Sequence, residues 1–197
     1  MRIYSFYPNG ENALCLIDET KVGYFWSHFV GRPMQHDWCA PKFSIIRPSK
    51  PVRDFVSWTL AAPIVTQRSK DSLEPIIGEF VEFLPFATIR SKILYAVNVI
   101  KLIDCLDLER SELTYVPEEP GRVIFASKYV FNKEKVRSVP IFKVPQSLHI
   151  FVSDVFADVV VNAKLTGAGF DDPENILWVK KPWNRTMEDL PLVKEFH

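Results

Sequence analysis

Apolar side chains fall in short runs along this chain, and most runs are closed by proline or by charge. Residues 2–7 alternate as a strand does. Leu14-Cys15-Leu16-Ile17 is ended by Asp18-Glu19, and Phe43-Ser44-Ile45-Ile46 is stopped by Arg47-Pro48. Asp54-Phe55-Val56-Ser57-Trp58 is short enough for a strand or a turn. The longest run, residues 93–103, is rich in β-branched and aromatic side chains and reads as a buried strand to about Val99. It leaves through the polar stretch from Asp104 to Ser111. Glu112 to Val116 and Arg122 to Ala126 flank Pro117-Glu118-Glu119-Pro120-Gly121, which predicts a hairpin. Residues 139–144 and 176–179 are further expected strands, and Pro140 points the former to a sheet edge or a strand start.

Two segments break this period and resemble each other. After Pro63-Ile64-Val65, Thr66 is an N-cap, and Leu73, Ile76 and Ile77 share one helical face. Pro75 lies inside that pattern and is expected to kink or stop the helix, since it cannot donate to the Asp71 carbonyl. After Ile150-Phe151-Val152, Ser153 is a second N-cap, and Val155, Phe156, Val159, Val160 and Ala163 form a stripe at helical spacing. Gly167 is expected to end that helix in the left-handed conformation. With Val65 set on Val152 the two segments align without a gap, Thr66 on Ser153, Asp71 on Asp158, Leu73 on Val160 and Ile76 on Ala163. Duplication and the common grammar of strand, cap and helix both account for this. The pattern predicts an α+β fold: a mostly antiparallel or mixed sheet with two or more helices packed on one face.

Residues 47–53 hold two prolines and three basic side chains and mark the expected joint. It divides an N-terminal region, 1–50, packed on the main domain, from an α+β domain, 51–197. Composition adds exclusions. Lys plus Arg is 24 and Asp plus Glu is 24, without the basic excess of a general nucleic-acid binder. Three cysteines, Cys15, Cys39 and Cys105, make no CxxC pair, which fits a reducing compartment better than a disulfide framework. The first residues lack the apolar core of a signal peptide, and no apolar run is long enough for a membrane span. The expectation is a soluble, cytoplasmic protein that engages neither membrane nor nucleic acid.

Chemistry-bearing residues are few. His28, His36 and Cys39, with Asp37 beside them, match no standard zinc spacing and read as loop. Asp104, Asp107, Glu109 and Glu112 are the candidate acid–base or divalent-ion carboxylates, and Cys105 the candidate nucleophile, with His149 the one internal histidine in the second half. A solvated loop with salt bridges to Arg110 or Lys101, around a buried structural thiol, accounts for the same residues. No GxGxxG, P-loop or GxSxG string occurs. The residues assign no catalytic group, metal site or cofactor. Basic residues lie beside aromatics at Lys128-Tyr129 to Arg137 and at Lys180-Lys181-Pro182-Trp183, which read as rims of a folded domain. Trp183 is the tryptophan expected at the surface.

Several strings carry a family resemblance. They are Pro63-Ile64-Val65-Thr66-Gln67-Arg68-Ser69-Lys70-Asp71-Ser72-Leu73, Phe83-Leu84-Pro85, Tyr95-Ala96-Val97-Asn98-Val99, and Asp104 to Glu112. Ile150-Phe151-Val152-Ser153-Asp154-Val155-Phe156 and Leu165-Thr166-Gly167 with Phe170 follow. In this order they resemble a bacterial family first described as a domain of unknown function and later grouped with the immunity proteins of polymorphic toxin systems. The resemblance covers about residues 55–173. It implies a cytosolic antidote, not an enzyme, that binds a cognate toxin and neutralises it sterically. It brings no catalytic residues and does not name the toxin's chemistry. Loops are where contact surfaces vary. Opposite charge speeds encounter with a basic toxin. Together these assign the acidic groups Glu118, Glu119, Asp171, Asp172 and Glu174 to partner contact. A small enzyme using the 104–112 carboxylates, or a non-catalytic adaptor, are the alternatives.

Overall fold

The computed structural model describes residues 1–9, 15–17, 27–45, 49–59, 62–117 and 121–175. Among them are twelve strands: β1 (Ile3–Pro8), β2 (Cys15–Ile17), β3 (Phe43–Ile45), β4 (Phe55–Thr59), β5 (Ala62–Thr66), β6 (Val81–Ile89), β7 (Lys92–Val99), β8 (Glu112–Tyr115), β9 (Val123–Lys128), β10 (Ile141–Phe142), β11 (Ile150–Ser153) and β12 (Ala168–Asp171). Two helices, α1 (Gln67–Ile77) and α2 (Asp154–Asn162), follow β5 and β11 directly. The strands form two four-stranded sheets, β4-β5-β7-β6 and β10-β11-β1-β12, and two two-stranded ladders, β2-β3 and β8-β9. Every paired strand is antiparallel, so the α+β expectation is met. The helices do not share one sheet, as the sequence suggested; each belongs to its own.

The two sheets have the same plan. In each, an edge strand pairs with the strand that enters a helix, and the helix leads to the far edge strand. The third position in the order is filled by β7 in one sheet and β1 in the other. The resemblance between 63–86 and 149–172 is thus matched by topology. The one difference is that β1 comes from the opposite end of the chain.

Both sheets turn one face to the helices. Val65, Val97 and Val99 from the first and Phe6, Ile141 and Val152 from the second meet Leu73, Ile77, Phe156 and Val160 in one core. Phe6 joins the sheets through edge-on contacts, centroid to centroid 5.4 Å to Phe55 and 5.3 Å to Phe156. The other face of the first sheet packs Ile64, Leu84 and Ala96 under Phe29 and Met34, and that of the second packs Phe142 and Phe151 under Tyr129 and Phe131. Pro85 sits in β6, an edge strand, where a missing amide is tolerated.

The expected ends of both helices shift. α1 runs through Pro75 and stops two residues later, where Gly78 donates to the Glu74 carbonyl at 2.9 Å. With one turn left, the missing amide does not halt the helix. α2 ends before Gly167, at Asn162, and the left-handed residue is Lys164, φ 51°. Lys164 and Leu165 donate to Val161 and Val160 at 3.0 and 2.9 Å, the two bonds of a Schellman motif, and Leu165 and Val160 share the core. Lys164 is exposed, so the left-handed strain is the main thing its substitution changes. Lys164→Gly is expected to raise stability by about 1 kcal/mol, read as a higher urea midpoint at unchanged slope.

Candidate functional site

The helices lie antiparallel, and their two ends are built differently. At one end the start of α1 meets the finish of α2 around Asp54, which is buried immediately before β4. Asp54 Oδ1 accepts the Thr66 hydroxyl at 3.1 Å. Its Oδ2 accepts Arg68 Nη1 at 3.1 Å, the Thr166 amide at 2.9 Å and the Thr166 hydroxyl at 3.0 Å. Its carbonyl takes the Ser69 hydroxyl at 2.9 Å and the Thr66 amide at 3.0 Å. Thr66 Oγ1 also accepts the Ser69 amide, so the predicted cap is present. Arg68 Nη2 reaches the Ala163 carbonyl at 2.5 Å. A guanidinium there satisfies a helix C-terminus and complements its dipole.

At the other end, where α1 finishes and α2 starts, there is a cleft of about 220 Å³. Met1, Ile76, Phe80, Pro140 and Val155 supply apolar walls, and Glu79, Ser138 and Ser153 also line it. Among the described residues Ser153 makes no cap bond, and its buried Oγ has no hydrogen-bond partner. The α2 amides are served instead by Asp154, whose Oδ1 accepts Val155 N at 3.1 Å while Oδ2 accepts Arg2 N at 3.0 Å. The cleft joins residues from the chain's first position and from three later segments, so no local motif could have shown it.

The other candidate residues have structural work. Cys105 is buried, and burial pushes its thiol up to about 11; Asp104 and Lys135 act on it electrostatically, with opposite signs, and no histidine among the described residues does. Its carbonyl takes the Asn132 amide, and Asp107 N and Ser111 Oγ bond to Val130, so the 104–111 stretch is sewn to residues 130–132. Asp107 accepts the Arg110 amide and pairs with its guanidinium at 3.8 Å, the loop salt bridge expected from the sequence. Asp104 takes Gln146 Nε2, and Glu112 takes the Ser127 hydroxyl. His36 and Cys39 are exposed and His28 Nδ1 meets Ser27 Oγ. Among the described residues no three His, Cys, Asp or Glu side chains gather to hold a metal.

The acidic partner candidates divide. Glu118 and Glu119 lie outside the described residues, as do Trp183 and the 176–179 strand. Asp171 is half-buried, and desolvation raises its carboxyl above the usual range while the Tyr7 hydroxyl donates to it at 3.3 Å. Asp172 accepts the Glu174 amide in a turn, and Glu174 is exposed.

A buried polar group escaped sequence reading altogether. Lys143 is fully buried on the bridge to Leu102, with Nζ 2.7 Å from the Phe29 carbonyl; burial pushes its ammonium down to about 7. His149 lies beneath Tyr129, its imidazole lowered by burial and by Lys143. Lysine in a short apolar run normally reads as the solvent side of an edge.

Compared with known proteins, residues 31–175 match a family model described as "Immunity protein family (Imm11)". The matched span includes Asp54, both helices and every wall of the cleft except Met1. No curated protein matches the chain. No helix among the described residues is long and apolar enough to cross a membrane.

Proposed function

Because the chain belongs to the Imm11 immunity protein family, we propose that it binds a cognate bacterial toxin in the cytoplasm and neutralises it by covering it, without chemistry of its own. The family match over residues 31–175 is the observation that carries this reading. The geometry supports it: Cys105 is held as a thiol, and the carboxylates of the 104–112 stretch described above are engaged in turns and local bonds. In the same reading the acidic groups Glu118, Glu119, Asp171, Asp172 and Glu174 steer a basic toxin domain toward the surface.

Co-expression with a candidate toxin taken from a gene adjacent to this chain's own is the test. Restored growth and a co-purifying complex are expected; toxicity undiminished, with no complex, ends the proposal. Steering has its own measurement. Asp172→Lys with Glu174→Lys is expected to lower the association rate about tenfold at low salt and to flatten its salt dependence, with little change in dissociation. Asp171 is left out because its substitution would first remove the Tyr7 bond.

A further inference from the structure

We propose that the cleft between the end of α1 and the start of α2 is the anchor site for an arginine side chain of the toxin. The proposal rests on the neutralisation reading above and adds the residue type that the surface recognises.

The inference comes from comparing the two ends of the helix pair. In the gap-free register that sets Val65 on Val152, Arg68 falls on Val155, Ala163 on Ile76 and Thr166 on Glu79. At the filled end Arg68 forks between the Asp54 carboxylate and the Ala163 carbonyl. At the open end the counterpart of Arg68 is Val155, too short to cross and half exposed. Its would-be partners remain. Gly78 and Phe80 amides serve the Glu74 and Ile77 carbonyls, while among the described residues no donor reaches the carbonyl of Ile76. Glu79 is exposed and makes no ion pair among the described residues. Ser153 Oγ is buried and has no partner among the described residues.

Size and chemistry select the occupant. At about 220 Å³ the cleft is smaller than the roughly 300–1,000 Å³ of ligand pockets and suits a single large side chain. The walls of Met1, Ile76, Phe80, Pro140 and Val155 match an aliphatic stem, and a carboxylate, a helix C-terminal carbonyl and a hydroxyl match a planar fork of N–H donors. A buried, charge-paired arginine is the kind of group that dominates a protein interface.

The test begins without the toxin. The full chain, ¹⁵N-labelled, is titrated with N-acetyl-arginine methylamide, and with the leucine and glutamate equivalents. The arginine compound is expected to shift the amides of residues 76–80 and 153–156. Glu79→Gln should weaken that response at least threefold, and Val155→Arg, which supplies the missing guanidinium in cis, should abolish it. Equal shifts with the leucine compound, or responses indifferent to both variants, overturn the proposal. With the co-purifying toxin, Val155→Arg and Glu79→Gln should each raise Kd at least tenfold. A complex whose Kd neither variant changes overturns the anchor while leaving neutralisation standing. A chain that takes arginine in the cleft but forms no toxin complex overturns the neutralisation reading, and the anchor with it.

Discussion

Asp54→Ala is expected to cost about 3–5 kcal/mol of folding free energy, a third or more of what a domain of this size commonly has. The carboxylate is buried and collects the Thr66 hydroxyl, the Thr166 amide and hydroxyl, and Arg68. Removing it strands donors that water cannot reach, at about 1–3 kcal/mol for each one left unsatisfied. Arg68→Ala should cost far less, about 1 kcal/mol, because the Arg68 side chain is 56% exposed and its ion pair is screened. Asp54→Asn is expected to fall near the alanine variant, since an amide nitrogen faces donors where an oxygen accepted. Urea unfolding of the three variants orders them. Equal losses for Arg68→Ala and Asp54→Ala would mean that the ion pair, and not the buried carboxylate, holds the helix ends together.

Asp54 was not marked by its sequence context, although the elements around it were. Thr66 and Ser153 announced helix entries because a hydroxyl before an apolar stripe has few other uses, and both helices start there. The hairpin at 112–126 was legible from its prolines and glycine. The two-residue turn at Arg90-Ser91 was not: both residues have positive φ, 49° and 65°, without the glycine or asparagine that usually marks such a turn. The second sheet was illegible for a different reason. Its third strand is β1, separated from β11 by most of the chain, and strand periodicity carries no information about distant partners. The cleft inherits that difficulty, because Met1 reaches it only through β1.

The duplicated grammar was more informative than either copy. Two equal halves would cap both ends of the helix pair in the same way. One end is closed by Asp54 and Arg68; at the other, Pro140 stands at the Asp54 position, its carbonyl taking the Ser153 amide as that of Asp54 takes the Thr66 amide, and Val155 stands at the Arg68 position. Ser153 loses its cap bond on the same side. Three departures at one place leave the cleft open. A binding surface can arise in this way from the half of a repeat that does not finish its own packing.

Stability is expected to rise by about 2 kcal/mol between pH 7 and pH 9, to level off, and to fall above about pH 10. Lys143 sets the rise. Burial lowers its ammonium from an ordinary 10.5 to about 7 in the folded protein, so across that interval the unfolded chain holds a proton that the folded chain has released. Where the unfolded state binds more protons, stability increases with pH. Lys143 goes on contributing toward its ordinary 10.5, and Cys105 is the first group to oppose it. Its thiol goes from an ordinary 9.0 to about 11, so between those values the folded chain keeps a proton that the unfolded chain gives up, and its contribution to stability declines as pH climbs. Tyr7 is raised as well from an ordinary 10.0, and its loss together with that of Cys105 outweighs the lysine above about pH 10. His149, lowered by burial, has the sign of Lys143 but acts below its ordinary 6.5, outside the window. Urea unfolding at pH 7, 8, 9 and 10 traces the profile. Lys143→Met should flatten the rise, and Cys105→Ala should extend it past pH 9. A flat profile from pH 7 to 9 that Lys143→Met leaves unchanged would show that this lysine stays charged within the fold.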